Sequence, residues 1–286
     1  MMTDKNMKTV VGIRATHFSL DLEDVFQTIK NIFPGFTVYV VVDETNKKKS
    51  GAFPSYMNLL MIDDQLLDDL GLYYKSKKIG WIAGDYAYYI ALKYDWDFMW
   101  MIEPDVFIGQ DSFKILQEAQ KSQVDLVGTN INIRSDNWPW TKRMRSTTQF
   151  HTISGVFFPL TRVSRRLAVA ALKIRREVSM VLEKKQVELQ IPNDESTIAT
   201  TAMWKHYGYL DLKKEFPSHF RNFGWKKRFD KNLLSSGIVH PAHETSIFIE
   251  KVVDELVSVL NTVPSYQSLL ETDKKNQSEI LNRIVK

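Results

Sequence analysis

The chain has 286 residues, enough for one large domain or two small ones, and 44% hydrophobic with 12% aromatic residues supplies a sizeable core. A charged fraction of 25% and a net charge of +4 exclude wholesale disorder and give no footing for nucleic-acid binding. With no cysteine, disulfides, zinc–thiolate sites, iron–sulfur clusters and cysteine nucleophiles are all excluded.

In chain order, the apolar run Thr9–Ile13 reads as a strand and is too short for a signal-peptide core. Leu22–Phe33 reads as a helix, Thr37–Val42 as a strand, and Tyr56–Leu70 and Ile79–Tyr94 as helices. Phe98–Ile102 and Val124–Thr129 are strands separated by a helix over Ser112–Lys121. Strands that are apolar throughout, as in Val38-Tyr39-Val40-Val41-Val42, are expected where helices cover both faces of a parallel sheet. The fold class is therefore α/β with a mainly parallel sheet flanked by helices, and any ligand belongs at the carboxyl ends of the strands. Further on, Ile153–Pro159 is strand-like, and Arg162–Lys185 is helical with eight basic residues against two acidic ones. Pro192-Asn193-Asp194 opens another helix, and Phe216–Ala242 reads as loop. Thr245–Thr262 is an amphipathic helix, Pro264 breaks it, and Ser265–Val285 is a last helix. The division expected is 1–130 as the ligand-binding α/β part, 131–245 as a continuation of the same domain, and 246–286 as a helical tail. No run of apolar residues is long enough to span a bilayer, so a cytoplasmic protein is expected.

The sharpest chemical signal is Trp100-Met101-Ile102-Glu103-Pro104-Asp105. An apolar strand ends in two carboxylates at i and i+2, which point the same way in extended chain and can share one hard divalent cation. Asp43 leaves another strand and suits either a turn or a hydrogen bond to a nucleobase or ribose. Arg14 follows the first strand and could serve a phosphate. Asp194 and Glu195 open a helix capped by Asn193, where acids are favourable in any case.

Together, Val40-Val41-Val42-Asp43-Glu44-Thr45 and Phe98–Val106 resemble the GT-A-fold nucleotide-sugar-dependent glycosyltransferases over roughly residues 9 to 245. Here Glu103 stands where the first Asp of the Asp-x-Asp motif is commoner. The resemblance implies a metal-dependent transfer of a sugar from a nucleotide diphosphate sugar to a hydroxyl of a glycan or glycolipid, with bacterial surface polysaccharide synthesis as a setting. It implies Mn²⁺ or Mg²⁺ on Glu103, Asp105 and His240, with His243 a weaker candidate. It places Arg14, Asp43, Asp85 and Gly155 around the donor, and Asp194 and Glu195 at the acceptor, Glu195 being preferred as base. Asn130–Trp140, rich in amides and indoles, reads either as a carbohydrate surface or as an aromatic lid. Arg162–Lys185 is a solvated face or a peripheral contact with anionic lipid at the inner face of the membrane. The alternatives are a sugar-phosphate nucleotidyltransferase, disfavoured by the lack of a glycine-rich loop after Ile13, and a non-catalytic carbohydrate-binding protein.

Overall fold

The computed structural model describes residues 7–45, 50–75, 79–185 and 191–262. The helix expected over Ser265–Val285 lies outside these residues.

Strands β1 (Thr9–Ala15), β2 (Thr37–Asp43), β3 (Asn58–Ile62) and β4 (Phe98–Ile102) are connected through helices α1 (Leu20–Ile32), α2 (Asp64–Leu70), α3 (Ile79–Ile82) and α4 (Tyr86–Ala91). The short β5 (Phe107–Ile108) and α5 (Phe113–Lys121) precede β6 (Leu126–Ile133), α6 (Pro139–Thr147), β7 (Ser154–Ser164), α7 (Arg165–Lys185) and α8 (Asp194–Trp204). Then come β8 (Tyr209–Asp211), α9 (Leu212–Glu215), β9 (Phe229–Asp230), β10 (Ile238–Val239), β11 (Ala242–His243) and α10 (Thr245–Thr262).

Seven strands form one sheet in the order β3-β2-β1-β4-β7-β6-β8. β1, β2, β3 and β4 are mutually parallel, β7 runs against both β4 and β6, and β8 is parallel to β6. Only β7 therefore opposes the common direction. Strands from before and after residue 130 share this sheet, so the two parts have one backbone framework. Successive residues feed opposite layers. Val11, Ile13, Trp100 and Ile102 pack with α1 and α5, while Val10, Met99 and Met101 pack with α4, α7 and α8. This three-layer arrangement explains why the strands are apolar throughout. The order reverses between β1 and β4, leaving a crevice at their carboxyl ends, where Arg14 and Glu103 stand.

Three expectations are corrected. Tyr56–Leu70 is not one helix: Asn58–Ile62 pairs in parallel with β2, and helix begins only at Asp64, capped by Asp63. Its straight-chain apolar residues suit either state, and the open edge beside β2 decides. Ile79–Tyr94 breaks at Ala83-Gly84 into α3 and α4. The basic helix begins at Arg165, not Arg162, and two of the eight cations of the stretch face inward. Arg162 lies in β7, buried over Phe98, donating to the carbonyls of Ala119, Gln120, Ser122 and Val124.

The second inward cation is Arg175, which holds Asp85 in two hydrogen bonds of 2.7 Å, while Tyr89 donates a third to the same carboxylate. Asp85 and Arg175 are both fully buried. This corrects the expectation of a nucleotide contact at Asp85, because its oxygens are consumed inside the protein. Asp85→Ala should lower unfolding free energy in urea by about 3–5 kcal/mol, since it strands a buried guanidinium. Asp85→Ala with Arg175→Met should recover most of that loss. A ligand-contact role would show instead as weaker donor binding at unchanged stability.

Candidate active site

Glu103 and Asp105 leave β4 at the crevice through a turn closed by Val106 N–H donating to the Glu103 carbonyl. The following β5 pairs antiparallel with β10, Phe107 opposite Val239, and Ala242 N–H donates to the Asp105 carbonyl at 2.8 Å. That ladder sets His240 beside the acidic turn. Its Nε2 lies 3.5 Å from Glu103 Oε2 and 3.5 Å from Asp105 Oδ1, and one donor atom from each of the three residues lies within 4.8 Å of the others. The sequence expectation of Glu103, Asp105 and His240 in one place thus corresponds to a real cluster.

The donor chemistry fits a hard divalent cation. Two carboxylates supply oxygen, and His240 Nδ1 lies 2.8 Å from the Gly224 carbonyl. A proton on Nδ1 leaves the Nε2 lone pair facing the acids, the arrangement by which a backbone acceptor orients a metal-binding imidazole. His243 lies behind them. Its Nδ1 is 3.3 Å from Asp21 Oδ2, and its buried Nε2 has no hydrogen-bond partner, 3.9 Å from Asp105 Oδ2. Asp21 is itself held by Lys231 Nζ at 2.9 Å.

The charged groups of the cluster also set one another's protonation. Burial would lower the His240 pKa, but hydrogen bonds and attraction from Asp105 and Glu103 push it up to about 10. Burial would raise Asp105, yet His240 holds it below its ordinary value. Arg14, at the end of β1, lies 3.3 Å from Glu103 Oε1 and 3.1 Å from Asp194 Oδ2, and donates to the Gly80 carbonyl at 2.7 Å. Burial acts to lower its pKa, and Glu103 and Asp194 outweigh that, so it is raised. Gly84 makes this arrangement possible: a Cβ there would collide with the Arg14 guanidinium and stand 2.6 Å from Asp194 Oδ2.

Two cavities meet at the cluster. The first, about 460 Å³, is lined by Arg14, Asp43, Trp81, Glu103, Asp105 and His243, with Ile247 and Lys251 of α10 closing one side. Asp43 Oδ1 accepts from Thr45 N–H and its hydroxyl, so Asp43 makes its own turn while lining the wall. The second, about 660 Å³, is lined on one side by Trp81, Trp138, Trp140 and Trp225, and on the other by Glu103, Glu195 and His240. Trp138 and Trp140 are half-buried at the start of α6, Trp138 beneath the Arg134 guanidinium at 5.0 Å. The amide-and-indole stretch thus walls this cavity.

The acids at α8 separate into two roles. Asp194 is buried, its oxygens accepting from Arg14, Gly84 N–H and Glu195 N–H, and burial raises its pKa well above the usual range. Glu195 lines the second cavity, accepts from Asn193 at 3.2 Å, and is raised by burial to about 7. Gly155 is not among the residues lining either cavity. It lies beneath Arg134 and Trp138, and a Cβ there would meet both. Its backbone makes room for the wall of the cavity.

The largest cavity described, about 1090 Å³, opens at the opposite edge, beside Met7, Asp97 and Lys173. There Arg166 is paired with Asp125, and Arg165 donates to the Leu92 and Tyr94 carbonyls. Arg134 and Trp81 fell within segments the sequence singled out but were not themselves named, and Trp225, Asp21 and Lys231 carried no signal of their own. Arg134, Trp81 and Trp225 stand in loops or a short helix, and an acid in the first turn of a helix, such as Asp21, is ordinarily explained by the helix itself.

No family model matches the chain, and no curated protein matches it in sequence. Solved structures similar to it include glucosyl-3-phosphoglycerate synthase from Mycobacterium tuberculosis in complex with Mn²⁺, UDP and phosphoglyceric acid. That pair shares 13% identity at a TM-score of 0.36, over 65% of this chain and 66% of the other, just under two-thirds of its length. The galactosyltransferase LgtC, in complex with donor and acceptor sugar analogues, shares 12% identity at a TM-score of 0.40, over 82% of this chain and 86% of that one. These structural neighbours are GT-A glycosyltransferases.

Cation binding at Glu103, Asp105 and His240 must displace the His240 proton, so Mn²⁺ affinity should rise with pH below about 10. Calorimetry in buffers of different ionisation enthalpy should record proton release. His240→Gln should weaken Mn²⁺ binding roughly tenfold or more and flatten that pH dependence. Unchanged affinity in this variant would remove His240 from the cation site.

Proposed function

We propose that the protein is a metal-dependent glycosyltransferase that moves a sugar from a nucleotide diphosphate sugar to an acceptor hydroxyl. The observation that carries this reading is the convergence of Glu103, Asp105 and His240 at the crevice between β1 and β4, flanked by two separate cavities. The cavity beside Asp43 takes the nucleoside and diphosphate. Asp43 meets the base or ribose, and Arg14 stays on the acids as a fixed positive charge near the diphosphate. A divalent cation, when bound, supplies positive charge to the diphosphate as it leaves.

The indole-lined cavity takes the acceptor, a glycan or glycolipid by this reading. Indole faces cover the apolar faces of sugar rings, and Glu195 removes the proton of the attacking hydroxyl. Glu195 suits this role better than Asp194 because it faces the cavity with a pKa near neutrality, whereas Asp194 is committed to Arg14 and Gly84. Among the described residues no helix is long and apolar enough to cross a membrane. A peripheral contact of α7 with anionic lipid would rest on its outward cations, such as Arg166, Lys173, Arg176 and Lys184.

Screening nucleotide sugars for metal-dependent hydrolysis tests the reading without an acceptor. Asp105→Asn should keep the fold and abolish that turnover, and full activity in the variant would overturn the assignment. Transfer should fall as pH drops through about 7, because Glu195, raised by burial, must be ionised to accept a proton. Glu195→Gln should lose transfer by about 10²-fold or more and lose that acid limb. If the limb persists in the variant, Glu195 is not the base.

A further inference from the structure

Beyond His240 the indole-lined cavity continues into a third one of about 350 Å³, sharing with it Asn130, Trp225 and His240. Lys213, Arg221, Lys226 and Lys227 line this space, and no acidic residue does. Among the described residues none of these four cations forms an ion pair, Lys213 meeting only the Phe223 carbonyl at 3.4 Å and Lys226 lying over the Trp225 ring, whereas the next residue, Arg228, approaches Glu255 of α10 at 3.6 Å. Four like charges around so small a concavity repel one another, and an unpaired arrangement of this kind raises the local concentration of anions.

The loop cannot easily spread to relieve that repulsion, because its backbone is tied to the cation cluster. His240 N–H donates to the Asn222 carbonyl at 3.1 Å, Gly224 N–H donates to the His240 carbonyl at 3.2 Å, and the Gly224 carbonyl faces His240 Nδ1. The residues flanking these contacts are Arg221, Trp225, Lys226 and Lys227. Trp225 is 75% exposed, a large indole left uncovered where the two cavities join.

We propose that this basic cavity binds a phosphoryl group carried by the acceptor, whose hydroxyl-bearing end lies over Trp225 toward Glu195. This rests on the glycosyltransferase reading for the word acceptor. The anion site itself rests only on the four unpaired cations, the absence of lining acids and the pinned loop. The space fits one phosphoryl or diphosphoryl group, and lysine and arginine donors meet its oxygens in charge-assisted hydrogen bonds. The same chemistry could be presented by a soluble sugar phosphate or by a lipid-linked one.

The test uses the full chain. Inorganic phosphate and methyl phosphate are titrated into the wild type and into the R221Q/K226Q/K227Q variant, with Mn²⁺ affinity measured on both to establish that the cluster is intact. Phosphate affinity should fall at least tenfold in the triple variant and decline with added salt, while K30Q/K114Q, which neutralises exposed lysines on α1 and α5, should match the wild type. Vesicles of phosphatidylcholine with and without phosphatidic acid distinguish the sources. Loss of phosphatidic-acid-dependent binding in the triple variant marks a lipid-borne phosphoryl group, and vesicle binding that is absent or unaltered, beside weakened phosphate binding, marks a soluble one. Equal phosphate affinity in the triple variant and the wild type, or no saturable phosphate binding at all, would overturn the proposal. Failure of the wild type to turn over any nucleotide sugar would remove the glycosyltransferase reading and leave the phosphate titration to decide the cavity by itself.

Discussion

Crowding of carboxylates at the carboxyl edge of the sheet is the constraint that the rest of the molecule answers. Asp21, Asp85, Glu103, Asp105, Asp194 and Glu195 all gather near the reversal between β1 and β4, and like charges at such separations cannot all ionise without cations among them. The protein answers in two ways. Asp85 and Asp21 have buried partners, Arg175 for the one and Lys231 and His243 for the other, in contacts that serve the packing of α4 on α7 and of the late loop on α1. Glu103 and Asp105 have only shared partners. Arg14 divides itself between Glu103 and Asp194, and His240 divides itself between Glu103 and Asp105. Asp85 is buried on its own cation, whereas Glu103 and Asp105 share theirs and line the cavities.

The late segment completes this arrangement through backbone pairing, with few specific side-chain contacts. β10 on β5 fixes His240, β11 on β9 fixes His243, and the bridge between Phe223 and His240 ties in the basic loop. Each ladder has only two residue pairs, so none is stable alone. Their stability comes from the apolar side chains they bury, Ile108, Val239, Phe220 and Phe223 among them. Phe157 and Phe223 lie edge-on or tilted against the His240 ring, restricting its rotation while Gly224 fixes its Nδ1. The site is consequently rigid on the side of the acids and open on the side of the indoles.

What the sequence disclosed follows the range of the forces concerned. The strands over Phe98–Ile102 and Thr37–Val42, the helix over Thr245–Thr262 and the paired acids at 103 and 105 were legible because periodicity and apolar runs are local. Asn58–Ile62 was misread because only its pairing with β2 distinguishes strand from helix there. Asp85 was misread because its partner stands 90 residues later, and a carboxylate at a helix start looks the same whether it faces solvent or Arg175. Arg162 looked like one more surface cation of a basic helix, yet its four carbonyl acceptors come from the end of α5 and the turn after it. His240 was found only through the family resemblance, since a histidine in a loop carries no pattern of its own. The basic loop at 221–228 was seen as irregular and basic, but its concavity exists only once Lys213 and Asn130 are brought to it.

The proton on His240 and a divalent cation are alternative answers to the same charge. With the metal absent, an imidazolium 3.5 Å from each carboxylate supplies one positive charge to a pair carrying two negative ones, and Arg14 supplies part of the remainder. A divalent ion among the same donor atoms supplies two, so the site exchanges a monovalent counter-charge for a divalent one and frees Nε2 to become a ligand. Arg14 need not move in that exchange, because Asp194, itself held by Gly84 N–H, and the Gly80 carbonyl keep it in place independently of Glu103. A divalent ion together with Arg14 would offset Glu103, Asp105 and Asp194 in full, where the imidazolium and Arg14 fall one charge short. On the proposed reading, that offset is what would let a site built mostly of acids take an anionic diphosphate.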